Sequence, residues 1–166
     1  RQGLAATRHK PVLLEVMTPE LFEPLAARFG ALGVRRCVIS FPALMSLKGS
    51  LEPAYNRHGI RRHERAAKRD AALRLAEIGA NHGLSLSACC QPKLVADCAG
   101  AITEGACIDG ALAVALHPRG LPLELPRDPS QRRNCHCTLS HDIGKYTDRC
   151  RSGCIYCYSK ASDANQ

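Results

Sequence analysis

Between Asn134 and Tyr158 the chain reads NCHCTLSHDIGKYTDRCRSGCIYCY, five cysteines in 25 residues. Cys150, Cys154 and Cys157 follow one another as C-x3-C-x2-C. Three thiolates on so short a loop can hold three corners of an iron–sulfur cube and leave the fourth iron open to a small ligand. A closed structural zinc site needs four protein ligands, so the zinc alternative draws its fourth from Cys135, Cys137 or His136. Arg149 and Arg151 place positive charge beside Cys150 and favour its thiolate. Gly153 lets the backbone fold closely round a metal, and Tyr156 can shield one cluster face.

Cys135 and Cys137 form a second feature, a C-x-C pair that needs further ligands. Cys89, at the end of an expected strand, and Cys107, in GACIDG, are the expected completions of a four-thiolate site, either an auxiliary cluster or zinc. Cys90 is an alternative to Cys89. The opposing reading makes Cys89 and Cys107 small core residues, as buried cysteines often are. Cys37, within an expected strand, and Cys98, within an expected helix, read as packing residues. Asp128, Gln131, Arg132 and Asp142 flank the cysteines; they either contact a bound ligand or act as turn and capping residues. Tyr156, Arg132 and Asp142 are the cofactor-binding candidates. No catalytic residue is assigned. His9, His117 and His141 are single loop histidines and read as surface residues.

The bulk properties limit the setting for this chemistry. At 166 residues and 18.0 kDa the chain can bury the core of one domain. It is 45% hydrophobic but only 4% aromatic with no Trp, so that core must be aliphatic. No apolar run approaches the roughly 20 residues that span a bilayer, and RQGLAATRHK precedes no signal-type apolar stretch. Ten cysteines therefore read as thiols of a reduced, cytoplasmic protein rather than as disulfides. The net charge of +8 permits a nucleic-acid partner. The run Arg57, His58, Arg61, Arg62, His63, Arg65, Lys68, Arg69 has no interleaved aromatics, however, and reads rather as the solvated face of a helix. The chain opens at Arg1 without Met, and whether it is whole or a fragment is left open.

The elements that must position the cysteines follow from periodicity. Residues 1–10 are basic and featureless, and Pro11–Met17 reads as a strand. Thr18-Pro19-Glu20 starts a helix with Leu21, Phe22, Leu25, Ala26 and Phe29 on one face; Pro24 should bend it, and Gly30 or Gly33 should end it. Val34–Phe41 and Leu84–Cys90 read as strands. A helix over 61–80 should carry Ala67, Ala71, Leu75 and Ile78 along one side, with the turn Asn81-His82-Gly83 closing it. Pro92 should start a short helix to about Ala101, and Asp109 should cap another through Leu116. Strand–helix–strand–helix–strand implies βαβ crossovers and a parallel sheet whose ligands sit beyond the carboxyl ends of its strands. The expected fold is α/β: a partial (half) parallel barrel over 1–116, a Pro-rich linker over 117–134, and a cysteine-rich, mostly irregular segment over 135–166 packed on the barrel as one domain.

GACIDG, RDPSQRRNCHC and SHDIGKYTDRCRSGCIYCY together resemble an uncharacterised bacterial domain-of-unknown-function family. That family's C-terminal cysteine cluster is similar to the iron–sulfur motif of radical S-adenosylmethionine enzymes. The resemblance covers most of 34–158, matching Ser40, Phe41, Cys89, Cys107, Asp109, Asp128, Gln131, Arg132, Cys135, Cys137 and the triplet with Tyr156. It implies a 4Fe-4S cluster on Cys150, Cys154 and Cys157 that binds S-adenosyl-L-methionine at its open iron. Reductive cleavage would then release a 5′-deoxyadenosyl radical, shielded by an α/β barrel. An electron donor such as a ferredoxin or flavodoxin, and an N-terminal half supplying further strands, are the partners it implies. Three features depart from the pattern. Radical enzymes place the triplet after the first barrel strand, whereas nine residues follow Cys157 here; nothing in this chain corresponds to the family's N-terminal half; and Ala43 and Met45 stand where the family usually has an acid and a tyrosine.

Overall fold

A computed structural model describes residues 6–8, 17–41, 59, 63–119 and 125–141. The Cys150–Cys154–Cys157 triplet, Tyr156, Asp142, Ala43, Met45 and all but the last residue of the expected first strand lie outside them. The chain divides into two compact units, Arg1–Phe41 with Glu64–Ser140, and Pro42–His63 with His141–Gln166. All the elements below belong to the first.

Four strands make one sheet in the order β1 (Ala6–Arg8), β2 (Arg36–Ile39), β3 (Ser85–Cys89), β4 (Thr103–Gly105). Every neighbouring pair is parallel, with Cys37 opposite Leu86 and Cys89 opposite Gly105. β1 and β4 are the edges among the described residues. Parallel neighbours need crossovers, and the helices supply them: α1 (Pro19–Ala31), α2 (Arg65–Asn81) and α3 (Pro92–Asp97) each lie between consecutive strands, and α4 (Gly110–Leu116) follows β4.

The two long helices feed their strands through the same device. At the end of α1, Val34 N–H donates to Phe29 C=O and Gly33 N–H to Gly30 C=O, both at 3.0 Å. At the end of α2, Leu84 N–H donates to Gly79 C=O at 2.8 Å and Gly83 N–H to Ala80 C=O at 3.0 Å. These are Schellman caps, and Gly33 and Gly83 take the left-handed φ that the motif requires, +81° and +75°. The residue after each glycine, Val34 or Leu84, is buried. A buried anchor thus starts each chain run into the sheet.

The sheet's period of two separates two interiors. Cys37 and Ile39 of β2 and Leu86 and Ala88 of β3 join Phe22, Ala26, Ala72, Leu75, Ile78 and Ile102 in the main core, against the helices. Fully burying Ile39, Leu75 or Ile102 stabilises the fold by about 1.5–3 kcal/mol each. Val38 and Cys89 point the other way, into a smaller cluster with Cys135 and Cys137.

Several sequence expectations need correction. A short strand lies at Ala6–Arg8, within the stretch read as featureless; three residues at a sheet edge are too few to show a period. β4 was not expected either, because Thr-Glu-Gly carries no apolar alternation and has two of its three residues exposed. α1 buries Phe22 and Ala26 with Phe29 packed beside them, but Leu21 and Leu25 are exposed, so its buried stripe is narrower than the apolar one. Pro24, read as a bend rather than an end, lies inside α1, where it is exposed and costs one intrahelical bond. In α2 the buried face is Ala72, Leu75, Ala76, Ile78 and Gly79, while Ala67 is exposed. α3 stops at Asp97, ahead of a turn with left-handed residues at Ala99 and Gly100. Cys98 therefore sits just past the helix, still buried.

Candidate metal centre

The cysteine cluster lies on the sheet face opposite α1, α2 and α3, at the carboxyl ends of the strands. Cys89 is the last residue of β3 and opposes Gly105, the last of β4. Cys107 follows β4 by two residues. The third contribution comes from residues 125–141, which fold back on themselves. Arg127 and Thr138 form an antiparallel bridge, Asp128 N–H donates to Cys137 C=O at 3.0 Å, and Leu139 N–H donates to Pro126 C=O at 2.9 Å.

This folded-back loop is braced internally and tied to the sheet. The Arg127 guanidinium donates to Cys135 C=O at 2.6 Å and Arg132 C=O at 2.7 Å. Asp128, buried, accepts from Ser130 N–H at 2.9 Å and Ser130 Oγ at 2.6 Å. These Ser130 bonds, side chain first, hold its carboxyl below the usual carboxylate range. Thr138 N–H donates to Ile108 C=O at 3.0 Å, and Thr138 Oγ1 accepts from Gly110 N–H at 3.0 Å. Asp109 caps α4 by accepting from Leu112 N–H at 3.0 Å, and its other oxygen accepts from Arg36 of β2 at 2.7 Å. Cys107 and Cys137 are thereby held on either side of a joint pinned at Ile108–Gly110 and Thr138.

The result is a convergence of thiols. The sulfurs of Cys89, Cys107 and Cys137 all lie within 4.8 Å of one another. Cys89 Sγ and Cys137 Sγ are 3.8 Å apart, and no disulfide joins the described cysteines. Cys135 is buried in the same cluster, with Cys90, Ala106 and Ile108 packed against it. The Cys89 thiol is pushed far up, first by its hydrogen bond with Cys107 and then by burial. Burial is also the largest cause at Cys135, where neighbouring Cys89 and Cys137 add to it. At Cys90 burial outweighs the opposing charge of Arg132. Without a metal such a pocket keeps its protons; a soft or borderline cation would displace them and be bound as a thiolate complex.

The backbone turns sharply here. Cys90 has φ +56°, a left-handed conformation that costs a non-glycine residue about 1–3 kcal/mol and recurs at functional sites. Gln91 Nε2 donates to Phe41 C=O at 2.7 Å and holds this turn against the chain leaving β2.

The candidate residues therefore separate. Cys89, Cys107, Cys135 and Cys137 come together, with Cys90 alongside. Arg132 is exposed, and its carbonyl serves the loop by accepting from Arg127 and Cys135. Asp128 and Gln131 brace the same loop, with Gln131 Nε2 3.4 Å from Asp128 Oδ2. His136, between the two loop cysteines, is exposed, with Nε2 2.7 Å from Glu104 of β4. Arg127 and Thr138 were not singled out in the sequence. Their one signal was proximity to the C-x-C pair, since backbone partners leave no pattern of residue types.

None of the curated proteins or solved structures compared with the chain matches it. A protein-family model does: it spans residues 6–159, which include the whole thiol cluster and the Cys150–Cys157 triplet. The chain therefore belongs to the family described as Domain of unknown function (DUF1848).

Proposed function

We propose that this protein is a thiolate-metal protein with two centres. One lies in the α/β body at Cys89, Cys107 and Cys137, completed by Cys135. The other is an open-site 4Fe-4S cluster on Cys150, Cys154 and Cys157, serving radical S-adenosylmethionine chemistry on a substrate still to be identified. The observation that carries the first is the convergence of three thiols within 4.8 Å at the carboxyl end of a parallel sheet, where α/β proteins place their ligands. The second rests on the C-x3-C-x2-C spacing. When bound, the open cluster would supply one electron for cleaving S-adenosyl-L-methionine. Arg132, Asp142 and Tyr156 are the residues proposed to contact that cofactor, and a ferredoxin or flavodoxin is the proposed electron donor.

A half-barrel body agrees with two features of the sheet. Its strands run in sequence order, β1-β2-β3-β4, and the thiols occupy the face opposite α1, α2 and α3, which a closed barrel would turn inward. A zinc module that binds nucleic acid draws less support from α2. There Arg65 pairs with Asp97 and Arg69 with Asp70, which leaves less of the basic run to meet phosphates.

Anaerobic purification with iron, acid-labile sulfide and zinc analysis tests the proposal, followed by EPR of the reduced protein. A cluster signal that changes on adding S-adenosyl-L-methionine is expected. A signal indifferent to it would reduce the C-terminal centre to electron transfer or a structural role, and a colourless, iron-free protein from an iron-replete host would refute it.

A further inference from the structure

The spacing of the thiols in the body specifies how many metal ions they hold. In a cubane cluster each protein sulfur binds a different iron and projects outward about 2.3 Å from it, which leaves the thiolates roughly 6 Å apart. Around one tetrahedral ion at about 2.3 Å, the sulfurs stand about 3.8 Å from one another. Cys89 Sγ and Cys137 Sγ are 3.8 Å apart, and Cys107 Sγ lies within 4.8 Å of both. Three sulfurs so close fit the corners of one small tetrahedron and would have to move apart by an ångström or more to accept a cube.

We infer that this centre takes a single zinc ion in a closed four-thiolate shell of Cys89, Cys107, Cys137 and Cys135. The inference rests on the reading of the body cysteines as a metal centre and sharpens it. Cys135 is the fourth ligand because it is buried in the same cluster two residues before Cys137; its sulfur stands outside the 4.8 Å group of the other three and would close on the ion when it binds. His136 is disfavoured because it is exposed and its Nε2 is engaged by Glu104. Cys90 is partly exposed and packs against the cluster from its edge, just past β3. Cys89, Cys135 and Cys137 are each less than a tenth exposed and Cys107 is partly exposed, and four thiolates round one ion would leave no position for substrate or water. That is the mark of a structural site. Zinc has no geometric preference from its d electrons and accepts a tetrahedron set by the protein. Its role would be to clamp three separate segments, the end of β3, the turn after β4 and the loop at 125–141.

The test uses the full chain with the C-terminal triplet removed (C150S/C154S/C157S), purified anaerobically under reductant. One zinc per chain and no acid-labile sulfide are expected, and cobalt(II) in its place should show the d–d bands of a four-thiolate tetrahedron. Adding Cys135→Ser should convert the spectrum to a three-thiolate type and weaken cobalt binding by more than about 100-fold, beyond an outer-sphere loss. His136→Ala should change affinity by less than about twofold, since an exposed side chain outside the shell carries little. Should the triplet variant fail to fold, zinc-edge X-ray absorption on the unaltered protein reads the same shell. Four sulfurs at about 2.3 Å and no second metal nearby are then expected. Iron with equimolar sulfide in the triplet variant would overturn the single-ion inference and leave a metal centre in the body standing. A triplet variant that folds and retains no zinc, iron or cobalt would overturn both.

Discussion

Replacing Asp109 by alanine should loosen the joint that carries Cys107, and the cost can be built from its two contacts. Its Oδ1 accepts from Leu112 N–H at 3.0 Å, the N-cap bond of α4, and its Oδ2 accepts from Arg36 at 2.7 Å. Losing a side-chain cap costs about 1 kcal/mol. The ion pair is partly exposed at both ends, 39% and 21%, so solvent screening holds it to roughly 0.5 kcal/mol. Asp109→Ala should therefore lose about 1.5 kcal/mol, and Asp109→Asn, which keeps an acceptor for Leu112 N–H, about 0.5 kcal/mol. Urea unfolding at pH 7 reads both as shifts of the midpoint at constant slope. Equal losses in the two variants would refute the cap as the larger contribution. The pH dependence adds an independent sign. Burial raises the Asp109 carboxyl, but the Leu112 and Arg36 hydrogen bonds outweigh it and leave it below its ordinary value. A carboxyl lowered in the folded state contributes stability that is present above its unfolded pKa of about 3.9 and is lost as pH falls through the folded value. Asp109→Asn should flatten that acid limb, and an unchanged limb would refute the assignment.

Three further outcomes follow from the packing. Leu75, 1% exposed, should cost about 2–5 kcal/mol as alanine. Leu73→Ala at 36% exposure should stay within about 0.5 kcal/mol, and similar losses at the two positions in thermal or urea unfolding would contradict the buried face of α2. Gly79→Ala should destabilise despite alanine's better helix propensity, because a Cβ there meets Leu86 Cδ1 and lies 3.3 Å from Leu84 C=O. The expected overpacking loss of about 1–3 kcal/mol would be disproved by a rise in unfolding midpoint. Thr138→Val keeps the shape of a buried side chain and strands Gly110 N–H, for a loss of about 1–3 kcal/mol. Serine, which retains the hydroxyl, should recover most of it; no recovery would point to the methyl group instead.

For metal-free protein the Cys89 thiol sets the alkaline behaviour. Its pKa is raised in the folded state by the Cys107 hydrogen bond and by burial. Stability from that shift is present below the unfolded thiol value of about 8.5 and declines as pH rises above it. Metal uptake, which needs thiolates, should be weakened by acid and should release protons measurable in weakly buffered solution. Uptake without proton release would count against coordination through sulfur.

Much of the body was legible from local pattern. β2 and β3 announce themselves through Cys37-Val38-Ile39 and Leu86-Ser87-Ala88, α2 through its length and its exit through Gly83; for α1 the sequence offered Gly30 or Gly33, and the left-handed backbone falls at Gly33, which only glycine accepts cheaply. Asp109 was recognisable as a cap because capping is a contact between near neighbours in sequence. β1 and β4 were not, since a three-residue edge strand is defined by its partner. Nor does composition say that Leu21 and Leu25 face solvent while Phe22 and Ala26 do not.

The cysteines show the same division. Residue types and spacing alone marked the chain's thiols as candidate metal ligands: a C-x3-C-x2-C triplet, a C-x-C pair and two further cysteines, Cys89 and Cys107. They named Cys89, with Cys90 as its alternative, and Cys107 as partners of the C-x-C pair, and left open whether these are ligands or separate core residues. Their convergence was decided by the alternation of β3, which sends Cys89 to the face away from α1, α2 and α3. It was decided too by the hydrogen bonds at Ile108, Gly110 and Thr138 that bring Cys107 and Cys137 to it. Sulfur–sulfur distance separates one ion from a cube, and it exists only once segments 48 residues apart in sequence have folded together.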